Sequence, residues 1–223
     1  MKVYLMAIAA AAFAGSAVAG TVQVNRNPGE PWQRGTTNGG GFRITPVSGD
    51  NGITGGRGGT ATSFISFCIE LNENLPGRNY TTQLSNAAQN GGVGGATNGL
   101  DPISAVTRAL YTEFRRGGTF GGIAPAGTDA SSWTTDLTDA LQLAIWFEEN
   151  EVASFQGNSD AAALHAWAVN AAQNNSFSSV RVLQMFNPDG SNAQDVLTLI
   201  PLPGTASLAA VGLMVVGARG RRR

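Results

Sequence analysis

The chain changes its hydrophobic period twice, and that order limits the folds open to it. Alternating runs over residues 21–25, 41–47 and 79–84 and an apolar run over 60–71 read as strands. From Asp101 to Gln173 the apolar residues instead recur at helical spacing. Alternation then returns over 177–186 and 193–200, joined by the hairpin signal Asn187-Pro188-Asp189-Gly190. Strands, helices and strands in that order predict an α+β domain. The simplest arrangement burying every apolar face is an antiparallel β-sandwich with an inserted or packed layer of about three helices.

Within the 60–71 run, Phe64, Ser66 and Cys68 fall on one face and Ile65, Phe67 and Ile69 on the other, as in a buried central strand. The glycine- and asparagine-rich stretch 86–99 reads as a flexible loop. It lacks the lysine and following hydroxyl residue of a phosphate loop. Asp101-Pro102 is a helix start, followed by Ile103, Val106, Leu110 and Phe114 on one face. Arg115 and Arg116 suit the negative end of that helix, and Gly117-Gly118 stops it. A second helix opens near Trp133-Thr134-Thr135, with Leu137, Leu141, Ala144, Ile145 and Glu148 on one stripe. A third, capped at Ser159 and running over 160–173, turns Leu164, Trp167 and Ala171 inward.

The two ends read as addresses. Residues 1–19 combine Lys2, an uncharged run and the small-residue motif Ala17-Val18-Ala19, the pattern of a secretory signal cleaved before Gly20. The residue directly after that site is Gly20 and not cysteine, which excludes a lipoprotein anchor. The segment 201–223 holds Pro201-Leu202-Pro203, an uncharged run and a terminal Arg221-Arg222-Arg223. Its 17 uncharged residues from Leu202 to Ala218 lie at the lower edge of a membrane-crossing helix. The arginines would stay on the cytoplasmic side. This tail resembles the sorting tail of PEP-CTERM proteins, with Leu202 where the usual motif has glutamate. The resemblance implies bacterial export, transient anchoring in the inner membrane, and removal of the tail by an exosortase-type processing enzyme after signal peptidase has acted. The alternative is an ordinary single-span anchor.

Between the ends, residues 20–200 form the working body. With 42% of the chain hydrophobic, it has enough apolar residues for one core. The body carries nine arginines, fifteen acidic residues and no lysine, a net charge of −6, which argues against nucleic acid as a partner. Its single cysteine, Cys68, forms no internal disulfide, and an odd cysteine in an exported protein calls for an explanation. The sole histidine, His165, has no second histidine or cysteine at metal-ligand spacing, so a structural or exposed role is expected and no metal or cofactor. Glu148, Glu149 and Glu151 read as a solvated helix end rather than paired catalytic carboxylates.

Cys68 and the segment Leu141-Gln142-Leu143-Ala144-Ile145-Trp146 carry the remaining chemistry. Gln142 and Trp146 are one helical turn apart, at the shoulder of the apolar stripe, which places the amide at the border of core and solvent. Phe67-Cys68-Ile69 and Gln142 through Ile145-Trp146 resemble the two signatures of the thioester domains of surface adhesins. By that resemblance Cys68 supplies the thiol, Gln142 the acyl group, and Trp146, Phe67 and Ile145 the packing around them. It implies an adhesion module at the cell surface or in the extracellular matrix, acylating an amine of a partner once rather than turning over as an enzyme. The thiolate leaving group has a reference pKa of about 8.5, far below that of an amine, which makes such an acyl group reactive. Glu70 sits on the same strand face as Cys68 and is weighed as a base, against a solvated surface role. A lysine-free body would also be spared self-acylation, though a compositional bias towards arginine explains that equally. The competing reading is a non-catalytic structural or binding component of the polysaccharide matrix that keeps only the fold.

Overall fold

A computed structural model describes residues 19–26, 37, 39–129 and 132–201. The expected signal peptide and sorting tail therefore lie outside the described residues, save Ala19, Gly20 and Pro201. No helix among the described residues is long and apolar enough to cross a membrane.

Six strands form one antiparallel sheet: β1 (Ala19–Asn25), β2 (Gly40–Ser48), β3 (Phe64–Phe67), β4 (Asn79–Ser85), β7 (Val180–Phe186) and β8 (Asn192–Leu199). Their order across the sheet is β3-β2-β1-β4-β7-β8. Two short strands, β5 (Ala87–Gln89) and β6 (Leu100–Pro102), make a separate ribbon. In β1 and β4 buried and exposed residues alternate, so one face of each meets the core. β8 is buried from Ala193 to Thr198, which requires cover on both faces.

The sheet departs from the expected two-layer sandwich by nearly closing on itself. Cys68, just past β3, bridges to Val196 of β8, and the Ile69 N–H donates to the Asp195 carbonyl at 3.2 Å. The Ser66 hydroxyl adds a bond to the Leu197 carbonyl. These contacts tie together the two edges that an open sheet would leave with unpaired backbone groups. The 60–71 run thus behaves as a buried strand although β3 spans only four residues and stands at one end of the strand order.

Three helices complete the α+β fold: α1 (Ala105–Arg116), α2 (Thr135–Glu148) and α3 (Ser159–Asn174). α1 starts later than the sequence suggests, because Leu100–Pro102 pairs with β5 and Ser104 accepts from the Thr107 N–H as the cap. Its end is as expected: Gly117 takes the left-handed conformation at φ 76°, and its N–H reaches carbonyls of the last turn. Thr134 caps α2 and Asn158, rather than Ser159, caps α3. α3 packs across both α1 and α2. The Tyr111 hydroxyl of α1 donates to the Ile65 carbonyl, and Phe114 meets Phe67 edge to face at 5.0 Å, which fixes α1 against β3.

The 86–99 stretch is pinned rather than loose. Glu151, 3% exposed, accepts from the backbone N–H groups of Val93 and Gly94 at 3.0 and 2.8 Å and from Leu71 at 2.6 Å. Those three backbone donors satisfy the carboxylate and tie the stretch to the end of α2.

Candidate site at Cys68 and Gln142

The site begins with an unusual helix. From Leu137 to Trp146 every residue of α2 is buried, because α3 lies along one side and the β2–β3 region along the other. A helix covered all round leaves no solvated shoulder. Gln142 is consequently wholly buried, not at the border of core and solvent. A buried amide must find partners or cost several kcal/mol, on the order of 2–7 in apolar surroundings.

Gln142 finds them on Cys68. Its Oε1 accepts from the Cys68 N–H at 3.1 Å and its Nε2 donates to the Cys68 carbonyl at 3.0 Å. The Cys68 N–H is shared, since it also reaches the Gly39 carbonyl at 2.9 Å. The two sequence segments therefore meet in space, as the resemblance to thioester domains implies. Phe67, Ile145 and Trp146 are buried around them.

A glycine pair makes the approach possible. A Cβ on Gly39 would stand 2.2 Å from Cζ2 of Trp146 and 2.8 Å from Cγ of Gln142. One on Gly40 would stand 2.4 Å from Cδ1 of Phe67 and 2.9 Å from Oε1 of Gln142. Backbone with no side chain thus lies directly on the Gln142–Trp146 face of α2. Asp139, one turn before Gln142, accepts from the Thr37 N–H at 3.0 Å and holds the incoming segment to the same helix.

A small cavity of about 80 Å³ opens beside this pair, lined by Cys68, Trp146, Gly39, Thr37, Glu73 and Gln194 among others. The Trp146 indole N–H is buried and has no partner among the described residues. Glu73 is the acidic residue at the cavity, and burial raises its pKa, opposed by a hydrogen bond from Asn90.

Next to the cavity, through Gln194, lies an acidic cluster containing Glu70, which the sequence offered either as a base or as a solvated surface residue. Glu70 is 1% exposed, with Oε2 held by the Gln194 amide at 3.0 Å. Burial, reinforced by Asp195 and Glu73, pushes its pKa well up, so it is protonated at neutral pH. Burial also raises Asp195, although its carboxylate accepts from Gln89 and Met185 N–H groups at 2.7 and 2.9 Å. Glu70 does not line the cavity beside Cys68, and a protonated carboxyl is a poor base, so its weighed role as base is not supported. Glu149 is likewise buried, pushed up to about 7 by burial while accepting from the Ser104 N–H. The expected solvated acidic helix end is therefore corrected at Glu149 and Glu151, whose partners are backbone groups distant in sequence.

His165 pairs with Glu148 at 2.7 Å, against Phe147 and Phe155, a structural setting. Among the described residues no cluster of histidine, cysteine or acidic side chains has the geometry to hold a metal. The sequence signals also passed over Arg57, which is fully buried on the carbonyls of Gly118, Pro125 and Gly127, lies 4.4 Å over the Trp133 ring, and is lowered by burial to about 10. Compared with known proteins, the chain matches no family model, no curated protein and no solved structure.

Proposed function

We propose that this chain is an exported surface or matrix protein whose Cys68 and Gln142 form an internal thioester that acylates a partner amine. The observation that carries this reading is the double hydrogen bond between the Gln142 amide and the Cys68 backbone in a buried site. It fixes the acyl carbon next to the one cysteine of the chain. The Cys68 N–H, already on Oε1, would stabilise negative charge on that oxygen as sulfur adds.

In the forming step the Cys68 sulfur bonds to the Gln142 side-chain carbon, the carbon–nitrogen bond breaks, and ammonia departs with the thiol proton. In the adhesion step an uncharged amine attacks the same carbon, the carbon–sulfur bond breaks, and Cys68 leaves as thiolate and regains a proton. Trp146 and the glycine pair shield the bond from water until an amine enters the cavity. The export signals support the surface location, and the tail fits removal by an exosortase-type enzyme.

The non-covalent alternative, a polysaccharide-matrix component that keeps only the fold, is favoured by one feature of the same pair. Gln142 satisfies both of its polar atoms on Cys68 without any covalent bond. Intact mass separates the two. The thioester form is lighter than its processed sequence by one ammonia, and methylamine adds to it while freeing one thiol. A mass equal to the processed sequence, unchanged by methylamine, would overturn the covalent reading.

A further inference from the structure

A second concavity, about 420 Å³, lies where α1 begins and the chain enters β7, lined by Arg108, Arg181, Asn86, Asn175, Phe177 and Ser178 among others. Its two arginines converge on one atom: Nη1 of Arg108 and Nη1 of Arg181 both donate to the Val180 carbonyl oxygen. The remaining bonds of the pair also go to backbone carbonyls, of Asn86 and Ser178. Neither guanidinium makes an ion pair with a carboxylate among the described residues. Glu149 attracts Arg108 only from beyond ion-pair distance, while Arg181 repels it.

Two cations held side by side against their mutual repulsion, in a chain with more acids than bases, present convergent donors suited to an oxyanion. Each guanidinium has five N–H donors, and the backbone takes a minority of them. The other lining residues narrow the ligand. Asn86, Asn175 and Ser178 are exposed amides and a hydroxyl, suited to sugar hydroxyl groups, and Phe177 is half-buried, offering ring surface to a sugar face. The volume falls in the range of small-ligand sites.

We propose that this pocket binds the carboxylate of a uronic acid residue in an acidic polysaccharide, with Arg108 and Arg181 on the carboxylate and Phe177 beside the ring. The site is separate from Cys68 and Gln142 and stands whether or not the thioester forms.

The test is calorimetric titration of the full chain at low salt with trigalacturonate, with neutral maltotriose and with sodium sulfate. Trigalacturonate is expected to bind, more weakly as salt rises, and maltotriose not to bind. Arg181→Gln should weaken binding at least about tenfold, the loss of one charge-assisted contact. Ser178→Asp, at an exposed position whose side chain makes no hydrogen bond among the described residues, should abolish it through like charge while the thermal unfolding midpoint stays unchanged. Absence of uronate binding by the unmodified chain, undiminished binding by a folded Ser178→Asp variant, or equal binding of maltotriose would overturn the proposal. Sulfate binding as tightly as trigalacturonate would overturn the sugar assignment and leave a site for simple oxyanions.

Discussion

Gln142 clasps Cys68 by both polar groups of the cysteine's backbone, at 3.1 and 3.0 Å, across 74 residues of sequence. The contact belongs to the backbone of Cys68, so removing its side chain leaves it in place. That separates the thiol from the clasp.

Cys68→Ala is therefore the discriminating substitution. Without a covalent bond it costs about 1 kcal/mol, the loss of one small buried group. With a thioester it also opens a 74-residue loop, which by analogy with disulfides adds roughly 4–5 kcal/mol. We expect the larger figure in urea unfolding followed by tryptophan fluorescence. Gln142→Ala should be at least as harmful, because it removes the same cross-link and also strands the buried Cys68 C=O, at a further cost of about 1–3 kcal/mol, while the Cys68 N–H keeps the Gly39 carbonyl. A small penalty for Cys68→Ala with the full penalty for Gln142→Ala would favour the non-covalent reading.

Gly39→Ala tests the close approach over α2. Neither the Trp146 ring nor the Gln142 stem, 2.2 and 2.8 Å from the added carbon, has room to give in a helix buried all round. Overpacking of this kind costs about 1–3 kcal/mol. The expected result is a loss near the top of that range, a shifted Trp146 emission, and less of the ammonia-deficient species on intact mass.

How far the sequence reached can be judged at particular residues. The change of hydrophobic period announced the strands of the main sheet, the three helices and the Asn187–Gly190 hairpin, because those signals are local, but it missed the β5–β6 ribbon. The meeting of Cys68 and Gln142 was legible only as two short motifs in the right order. The burial of Gln142 was not, since a stripe of Leu137, Leu141 and Ile145 does not reveal that α3 covers the opposite face. The same holds for Glu70, Glu149 and Glu151. Charge at a helix end normally signals solvent, and here the partners are N–H groups or an amide supplied by Gln194, Ser104, Leu71, Val93 and Gly94. The closure of the sheet rests on contacts of Ser66, Cys68 and Ile69 with Leu197, Val196 and Asp195, pairings that no periodicity encodes.

Glu149 sets a pH dependence whose sign follows from its raised pKa. A carboxyl that titrates near 4.5 when unfolded and about 7 when folded binds its proton more tightly in the native state. Its contribution is then fully present below about pH 4.5 and lost as pH rises through about 7. The window is worth on the order of 3 kcal/mol. The buried, raised Glu70 and Asp195 act in the same direction and extend the decline upward. Denaturant unfolding across this range should show stability falling with pH, and Glu149→Gln should flatten the slope between pH 4.5 and 7.

Glu151→Ala should release the 86–99 stretch. Three backbone donors lose their only carboxylate, including those of Val93 and Gly94 at the tip. We expect a loss of about 3 kcal/mol, scaled from bonds to charged groups that do not add fully. Limited proteolysis should then cut near Gly91–Gly95 in the variant and spare the parent chain. Equal resistance in both would mean that the β5–β6 ribbon alone orders the stretch.

The lysine-free body offers the sharpest test of reactivity, because an amine can be placed where none exists. Asn74 lines the cavity beside Cys68 and is exposed, so Asn74→Lys puts a flexible amine at its mouth without disturbing the core. Glu73, in the same lining, would attract that ammonium. If the Cys68 sulfur carries the Gln142 acyl group, the introduced lysine should take that group above neutral pH, where more of its amine is uncharged. The product keeps the mass deficit of one ammonia, no longer adds methylamine, and carries a Cys68 thiol open to alkylation after denaturation. On digestion it yields a peptide cross-linked between the introduced lysine and Gln142. Asn74→Arg should give the deficit and the methylamine adduct but no cross-link, since guanidinium does not deprotonate in this range. An Asn74→Lys variant that retains a methylamine-reactive thioester and forms no cross-link would show that amines at the cavity mouth do not reach the acyl carbon, and would confine the bond to holding the fold together.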